Sequence, residues 1–248
     1  MIGLVLAAGY ATRLHPYTKN KAKALLPVGD RVILDYIVDE MRTIPDMKTI
    51  VVISNSCFAA DFKQWQEGRD DDQIIILDDQ TTSDDNKLGA IGDMQFAIEA
   101  LDLVEANTDL MVIAGDNLFT YRLKDAWQAF KNWDEDMILG GQLEENEDPR
   151  RFALAEVDAD GNVLSLVEKP AEPQSDLAVY ATYFYKASTV PLVKTYLAAG
   201  NPPDSPGHFP AWLQKRKRVK LFQFEGRCID IGTPESYRAV QDGLPEIN

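Results

Sequence analysis

The feature that most constrains this chain is an alternation. Short apolar, β-branched runs at Ile2–Leu6, Thr49–Ser54, Ile74–Leu77 and Leu110–Ala114 are separated by stretches with helical spacing. Ile33, Ile37 and Met41 share one helical face, and Leu123, Ala126, Trp127, Phe130 and Trp133 repeat at i, i+3, i+4 and i+7. Strands separated by helices need crossover connections, so the first half of the chain predicts a mostly parallel sheet flanked by helices. The Leu123–Trp133 stripe is read as core and not as an aromatic ligand box. The run Ile2–Ala8 is short, has no basic region before it and leads into Gly9, so it reads as a buried strand and not as a signal peptide.

After Asp136 the texture changes. Strand-like segments at Met137–Leu143, Phe152–Val157, Val163–Val167 and Ala178–Tyr185 crowd together, with Asp160-Gly161-Asn162 as a turn, which predicts a β-meander. Gly200–Gly207 carries Pro202, Pro203 and Pro206 and reads as a loop, followed by a short helix near Pro210–Lys217 and a strand near Val219–Phe224. Thr233 is a candidate N-cap, with Pro234 at the first helical position and Ser236 in the first turn. No polar linker divides the 248 residues, so one domain is expected, with halves at 1–135 and 136–248.

Charge narrows the function. Lys+Arg 25 against Asp+Glu 40 leaves a net −15, which repels nucleic-acid phosphates at long range, so an anionic ligand must be held by a few local cations. Cys57 and Cys228 lack a CxxC partner, which argues against zinc or a disulfide framework and fits a reducing compartment. No run approaches the roughly 18–20 apolar residues of a membrane span. The expectation is a cytoplasmic protein with neither membrane nor nucleic-acid partners, and a homo-oligomer is left open.

The strongest chemical signal is Leu6-Ala7-Ala8-Gly9-Tyr10-Ala11-Thr12-Arg13-Leu14, followed by Lys23-Ala24-Leu25-Leu26-Pro27-Val28. A buried strand ending in small residues lets backbone N–H groups approach phosphates, while Arg13 and Lys23 supply the missing charge. Gly-Lys-Ser/Thr is absent, so this is no Walker loop, and Ala11 stands where the second glycine of a dinucleotide fingerprint would be. Asp116 follows the Leu110–Ala114 strand, at the end of the sheet where open α/β folds bind ligands. Asp230 lies in Cys228-Ile229-Asp230-Ile231-Gly232, where an ionised carboxylate needs a cation nearby. Two carboxylates plus phosphate oxygens suit Mg²⁺. Taken singly, Asp116 could begin a turn and Asp230 could cap a helix.

The paired motif Leu6–Val28 resembles the signature of the sugar-phosphate nucleotidyltransferases, or nucleotide-sugar pyrophosphorylases, which join a nucleoside triphosphate to a sugar 1-phosphate. The resemblance continues at Gly115-Asp116-Asn117, Glu168-Lys169-Pro170 and Asp230-Ile231-Gly232-Thr233-Pro234-Glu235. It is strongest to the glucose-1-phosphate thymidylyl- and uridylyltransferases. It implies a GT-A-like fold with a nucleotide-binding first half and a β-rich acceptor-binding second half. By the same resemblance Ala7, Ala8, Gly9 and Thr12 cradle the nucleotide, Gln80 and Gly89 face the base, and Lys169 joins Arg13 and Lys23 as a catalytic cation. Glu168, Lys169, Ala153 and Val179 fall on the acceptor side, with Asp116 and Asp230 holding the metal.

Three segments depart from the family's pattern. The spacer between Gln80 and Gly89 is long. Phe152-Ala153-Leu154 and Tyr180-Ala181-Thr182 carry alanines where relatives have glycines, which narrows the acceptor pocket. Pro170 biases Lys169 toward an extended backbone. His15 and His208 are read as packing or loop residues. Two rival functions stay open: a cytidylyltransferase acting on phosphocholine or another phospho-alcohol, and a catalytically silent nucleotide-sugar-binding regulatory protein.

Overall fold

The structure, a computed structural model, describes residues 1–69, 71–144 and 147–242. Its frame is a nine-stranded sheet. Four parallel strands run in the order Ile74–Asp78, Thr49–Ser54, Ile2–Leu6, Leu110–Ala114. The chain leaves Ile2–Leu6 toward one neighbour and returns on its other side, so the strand order reverses there. The carboxyl end of that strand is the crevice in which open α/β sheets bind ligands.

The helices cover both faces. On one, Ile33, Leu34, Ile37, Val38 and Met41 of helix Ile33–Arg42 are sealed from solvent, with Leu123, Ala126 and Phe130 of Leu123–Trp133. Trp127 and Trp133 lie at the flank of that stripe, and Trp133 keeps 36% of its surface, so it is not the core residue the spacing suggests. The other face is covered by Ala90–Ala100, Leu192–Ala198 and His208–Leu213.

The second half is not a meander. Leu177–Tyr185 is antiparallel to Leu110–Ala114 on one edge and to Asp136–Gln142 on the other, and Asp136–Gln142 pairs in parallel with the distant Val219–Gln223. Only Ala153–Val157 and Val163–Glu168 form a local hairpin. Crowded strand patterns encode which residues are extended but not which strand each one pairs with. The short helix is His208–Leu213, starting before Pro210 and ending before Lys217. Pro210 fits there because the first helical turn has no intrahelical partner for the N–H it lacks. Thr233 caps the last helix, Pro234–Asp242: its Oγ1 accepts from the Ser236 N–H at 3.2 Å, and its own N–H donates to Ser236 Oγ at 3.1 Å. Helices Ala59–Glu67 and Leu192–Ala198 have no counterpart in the sequence reading.

Candidate active site

The signature loop is shaped from below by hydrogen bonds. The Ala7 N–H donates to Ile53 O at 3.0 Å, and Asn55, fully buried, donates from Nδ2 to Ala8 O at 2.8 Å. A Cβ on Gly9 would meet no protein atom within 4 Å, so packing within the chain does not demand glycine there. Ala11 takes φ +47°, a left-handed conformation that disfavours a side chain, and Thr18 Oγ1 holds its carbonyl at 2.8 Å. Thr12 and Arg13 are exposed. Thr12 and Tyr10 help line an open cleft of about 540 Å³, closed on its far side by Thr82, Ser83 and Asp84.

Beside this loop, Gly115 donates its N–H to Leu6 O at 2.9 Å. A Cβ there would stand 2.9 Å from the same oxygen, so only glycine lets the two strand ends approach so closely. Asp116 follows, in the turn between Leu110–Ala114 and the short strand Asn117–Phe119. That strand pairs antiparallel with Cys228–Asp230, placing Asp230 opposite Asn117, and the Ile231 N–H reaches Asp116 O at 3.4 Å. Asp230 ends a strand and caps no helix, whereas Asp116 does lie in a turn, and that turn brings the two carboxylates together. Lys23 Nζ bridges them, at 2.7 Å from Asp116 Oδ2 and 3.6 Å from Asp230 Oδ1. Burial first, then the Asp116 charge, raises the Asp230 pKa, against the pull of Lys23, Arg13 and Arg151. The Asp230 side chain keeps 46% of its surface and that of Asp116 36%, so both carboxylates reach water.

The residues expected on the acceptor side form a row across three strands. Glu168 lies opposite Ala153, and Ala153 opposite Val179, so the three share one face of the sheet. Glu168 accepts from Ser205 Oγ at 2.8 Å and lies 3.7 Å from Lys169 Nζ. Lys169 is not extended: its φ is +46°. Its N–H still donates to Phe152 O at 3.0 Å, so the hairpin ladder runs one residue past the strand, and the backbone turns there in spite of Pro170. Such a conformation persists only where its surroundings impose it.

Gln80 is exposed at φ +66°, its N–H held by Asp78 Oδ1 at 2.8 Å. Gly89, at φ +79°, precedes helix Ala90–Ala100 and lies against the 200–207 loop, where a Cβ would stand 2.8 Å from Pro203 O. Just before Gln80 and just after Gly89 in sequence lie two buried carboxyls, with Asp79 5% and Asp93 6% exposed. Asp79 Oδ1 accepts the Thr81 N–H at 2.7 Å, and Thr81 Oγ1 contacts Tyr10 OH at 3.0 Å. Burial, then the Asp79 charge and a hydrogen bond to it, pushes Asp93 up to about 8. Burial raises Asp79 as well, so the pair favours holding a proton, and a proton kept on Asp93 can be offered to Asp79.

Residues 2–246 match the family described as Nucleotidyl transferase. The chain belongs to that family. It is 27% identical over 201 residues to the low-salt glycan biosynthesis nucleotidyltransferase Agl11 of Haloferax volcanii, covering 78% of this chain and 52% of that protein. It is 31% identical over 199 residues to the glucose-1-phosphate thymidylyltransferase of Neisseria gonorrhoeae, covering 78% and 64%. The chain thus matches roughly half to two-thirds of the length of these relatives. A solved UDP-glucose pyrophosphorylase in complex with UDP-glucose superposes with TM-score 0.79 at 18% identity over 97% of both chains, which establishes the shared mixed α/β, GT-A-like fold.

Within this nucleotidyl transferase, two groups of the expected residues are each gathered at one place: Lys23, Asp116 and Asp230, and Glu168, Ala153 and Val179 with Lys169 beside them. Gln80 is held by Asp78 and Gly89 by the 200–207 loop, so the two rest on different supports. The sequence reading missed Arg151, whose charge acts on Asp230, although Pro149-Arg150-Arg151 is a cationic cluster in an acidic chain. It also missed Asn55, Asp93 and Ser205. Asp93 alone left a trace, a charge inside the otherwise apolar run Ala90-Ile91-Gly92-Asp93-Met94.

Proposed function

We propose that this chain condenses a nucleoside triphosphate with a sugar 1-phosphate to give a nucleotide-diphospho-sugar and pyrophosphate, in the cytoplasm. The observation that carries this reading is the convergence of Lys23, Asp116 and Asp230 beside the signature loop. A non-bridging oxygen of the acceptor phosphate forms a bond to the α-phosphorus as the bond to the β,γ-pyrophosphate breaks in line. No protein nucleophile takes part. A phosphate monoester is already anionic near neutral pH, so the protein's work is positioning and neutralising charge. Lys23 and Arg13 lie where they can meet the triphosphate, while Lys169 beside Glu168 can meet the acceptor phosphate. Glu168 can accept hydrogen bonds from sugar hydroxyls.

The carboxylates suit Mg²⁺. Lys23 is one ammonium shared between two carboxylates, and the charge of Asp116 still raises its neighbour. Among the described residues no third acidic, His or Cys ligand joins them, so phosphate oxygens and water would complete the shell. When bound, the ion would neutralise the transferring phosphates. Free Cys57 and Cys228 favour a reducing compartment.

The test is pyrophosphate release from each of four NTPs paired with several sugar 1-phosphates and with phosphocholine, starting from dTTP with glucose 1-phosphate, the pair suggested by the gonococcal relative's name. Turnover with a sugar 1-phosphate is expected. Release only with CTP and phosphocholine would replace the acceptor class, and no release from any pair would overturn the reading.

A further inference from the structure

The proline-rich loop between Gly200 and Gly207 touches both proposed substrate sides. On the nucleotide side, the Ile91 N–H donates to Pro203 O at 2.9 Å and the Ala90 N–H to Asp204 O at 3.4 Å, so the loop caps helix Ala90–Ala100 beside Gly89. Two residues on, Ser205 Oγ donates to Glu168 Oε1 at 2.8 Å. A Cβ on Gly207 would fall 2.2 Å from Glu168 Oε2 and 3.6 Å from the Cβ of Ala153, so the loop lies directly over the acceptor row. Its base is fixed: Tyr196 OH donates to Pro202 O at 2.7 Å and Asn201 Nδ2 to Tyr196 O at 2.8 Å. Pro202, Pro203 and Pro206 remove most of the remaining backbone freedom.

We infer that Ser205 is a positioning residue for Glu168, and that the clamp of Ser205 and Gly207 on this carboxylate decides which sugar hydroxyl configuration the acceptor side takes. The inference rests on the functional reading above. A carboxylate on a flexible side chain accepts a hydroxyl from several directions. One oxygen held by Ser205, with the other confined against the Gly207 backbone, leaves a single orientation toward the ligand. Specificity then comes from the rigid loop as well as from Glu168 itself.

The test compares the full-length wild type with Ser205→Ala, Ser205→Thr and Gly207→Ala, on sugar 1-phosphates that differ in the configuration of one hydroxyl. Ser205→Ala should raise the acceptor KM about tenfold, the scale of one hydrogen bond to a charged group. It should also reduce discrimination between the epimers and leave the NTP KM within twofold. Ser205→Thr keeps the hydroxyl and should restore both. Gly207→Ala must displace the carboxylate and should raise the acceptor KM without the Ser205 hydroxyl being touched, which covers the case in which Ser205→Ala folds poorly. A purely structural role would lower the Tm and leave the epimer ratio unchanged. That result, or an acceptor KM within twofold of wild type in both Ser205→Ala and Gly207→Ala, overturns the inference while the functional reading stands. A wild type inert toward every sugar 1-phosphate overturns both.

Discussion

Asp93→Asn should make this protein more stable, by an amount that depends on pH. In the native state the carboxyl of Asp93 is raised to about 8, first by burial and then by Asp79; in the unfolded chain it titrates near about 3.9. Between these values the native protein binds one proton more than the unfolded one, so this group's contribution to stability falls as pH rises. The slope is about 1.4 kcal/mol per pH unit. Some three units separate the unfolded value from pH 7, giving a penalty of about 4 kcal/mol there, which grows further to a plateau above about pH 8 and vanishes below about pH 4. Asparagine carries no proton to lose, and its amide N–H can replace the O–H that Asp93 offers Asp79. Urea denaturation of both proteins between pH 4.5 and 9 measures the difference, because titrations away from the Asp79–Asp93 pair cancel. The difference should be small at the acid end, grow through neutrality and level off above about pH 8. A pH-independent difference, or one that shrinks as pH rises, would refute the assignment of Asp93 as a buried neutral acid.

Asp116→Asn and Asp230→Asn should each cut turnover by at least about 10²-fold while keeping the wild-type circular dichroism, since each removes a charge and preserves the side-chain shape. Retention of more than a tenth of the rate in either folded variant would exclude that residue as a metal ligand. Ala11→Gly should raise stability by up to about 1 kcal/mol, because Ala11 sits at φ +47°, where glycine has no side-chain penalty; a lower Tm would show that the surrounding loop relieves the strain. Ala153→Gly enlarges the row shared with Glu168 and Val179, and should change relative rates across a sugar 1-phosphate panel by the equivalent of about 1–3 kcal/mol in discrimination. An unchanged profile would place Ala153 outside the pocket.

The periodic parts of this fold were legible because each is encoded locally. Ile33, Ile37 and Met41 state their own helical face, and Leu110–Ala114 announces a strand whose end must carry Asp116. What the pattern could not supply was pairing over distance. Asp230 reaches Asp116 through a ribbon of two three-residue strands, Asn117–Phe119 and Cys228–Asp230, too short for any periodicity to show. The left-handed turn at Lys169 runs against the local rule for a residue before proline, although its N–H still meets the Phe152 carbonyl. Ser205 carries no signal at all, since one serine in a proline-rich loop is an ordinary loop residue until Glu168 is found beside it.

Glycine separates what the fold demands from what a ligand demands. Gly115 is required by the fold: its N–H meets Leu6 O at 2.9 Å, and any Cβ would collide with that oxygen whether or not a substrate is present. Gly89 and Gly207 are likewise explained by contacts inside the chain, with Pro203 O and with the Glu168 carboxylate. Gly9 has no such explanation, for a side chain there would touch nothing in the protein. Its φ is not among the positive values, so conformation does not require glycine either. Under the proposed function, a residue that neither packing nor backbone geometry demands, in the loop between Ala8 and Arg13, leaves room for a triphosphate to approach the backbone closely. Gly9→Ala should therefore leave the Tm nearly unchanged and raise the NTP KM, and a variant that loses stability while keeping its NTP KM would overturn that reasoning.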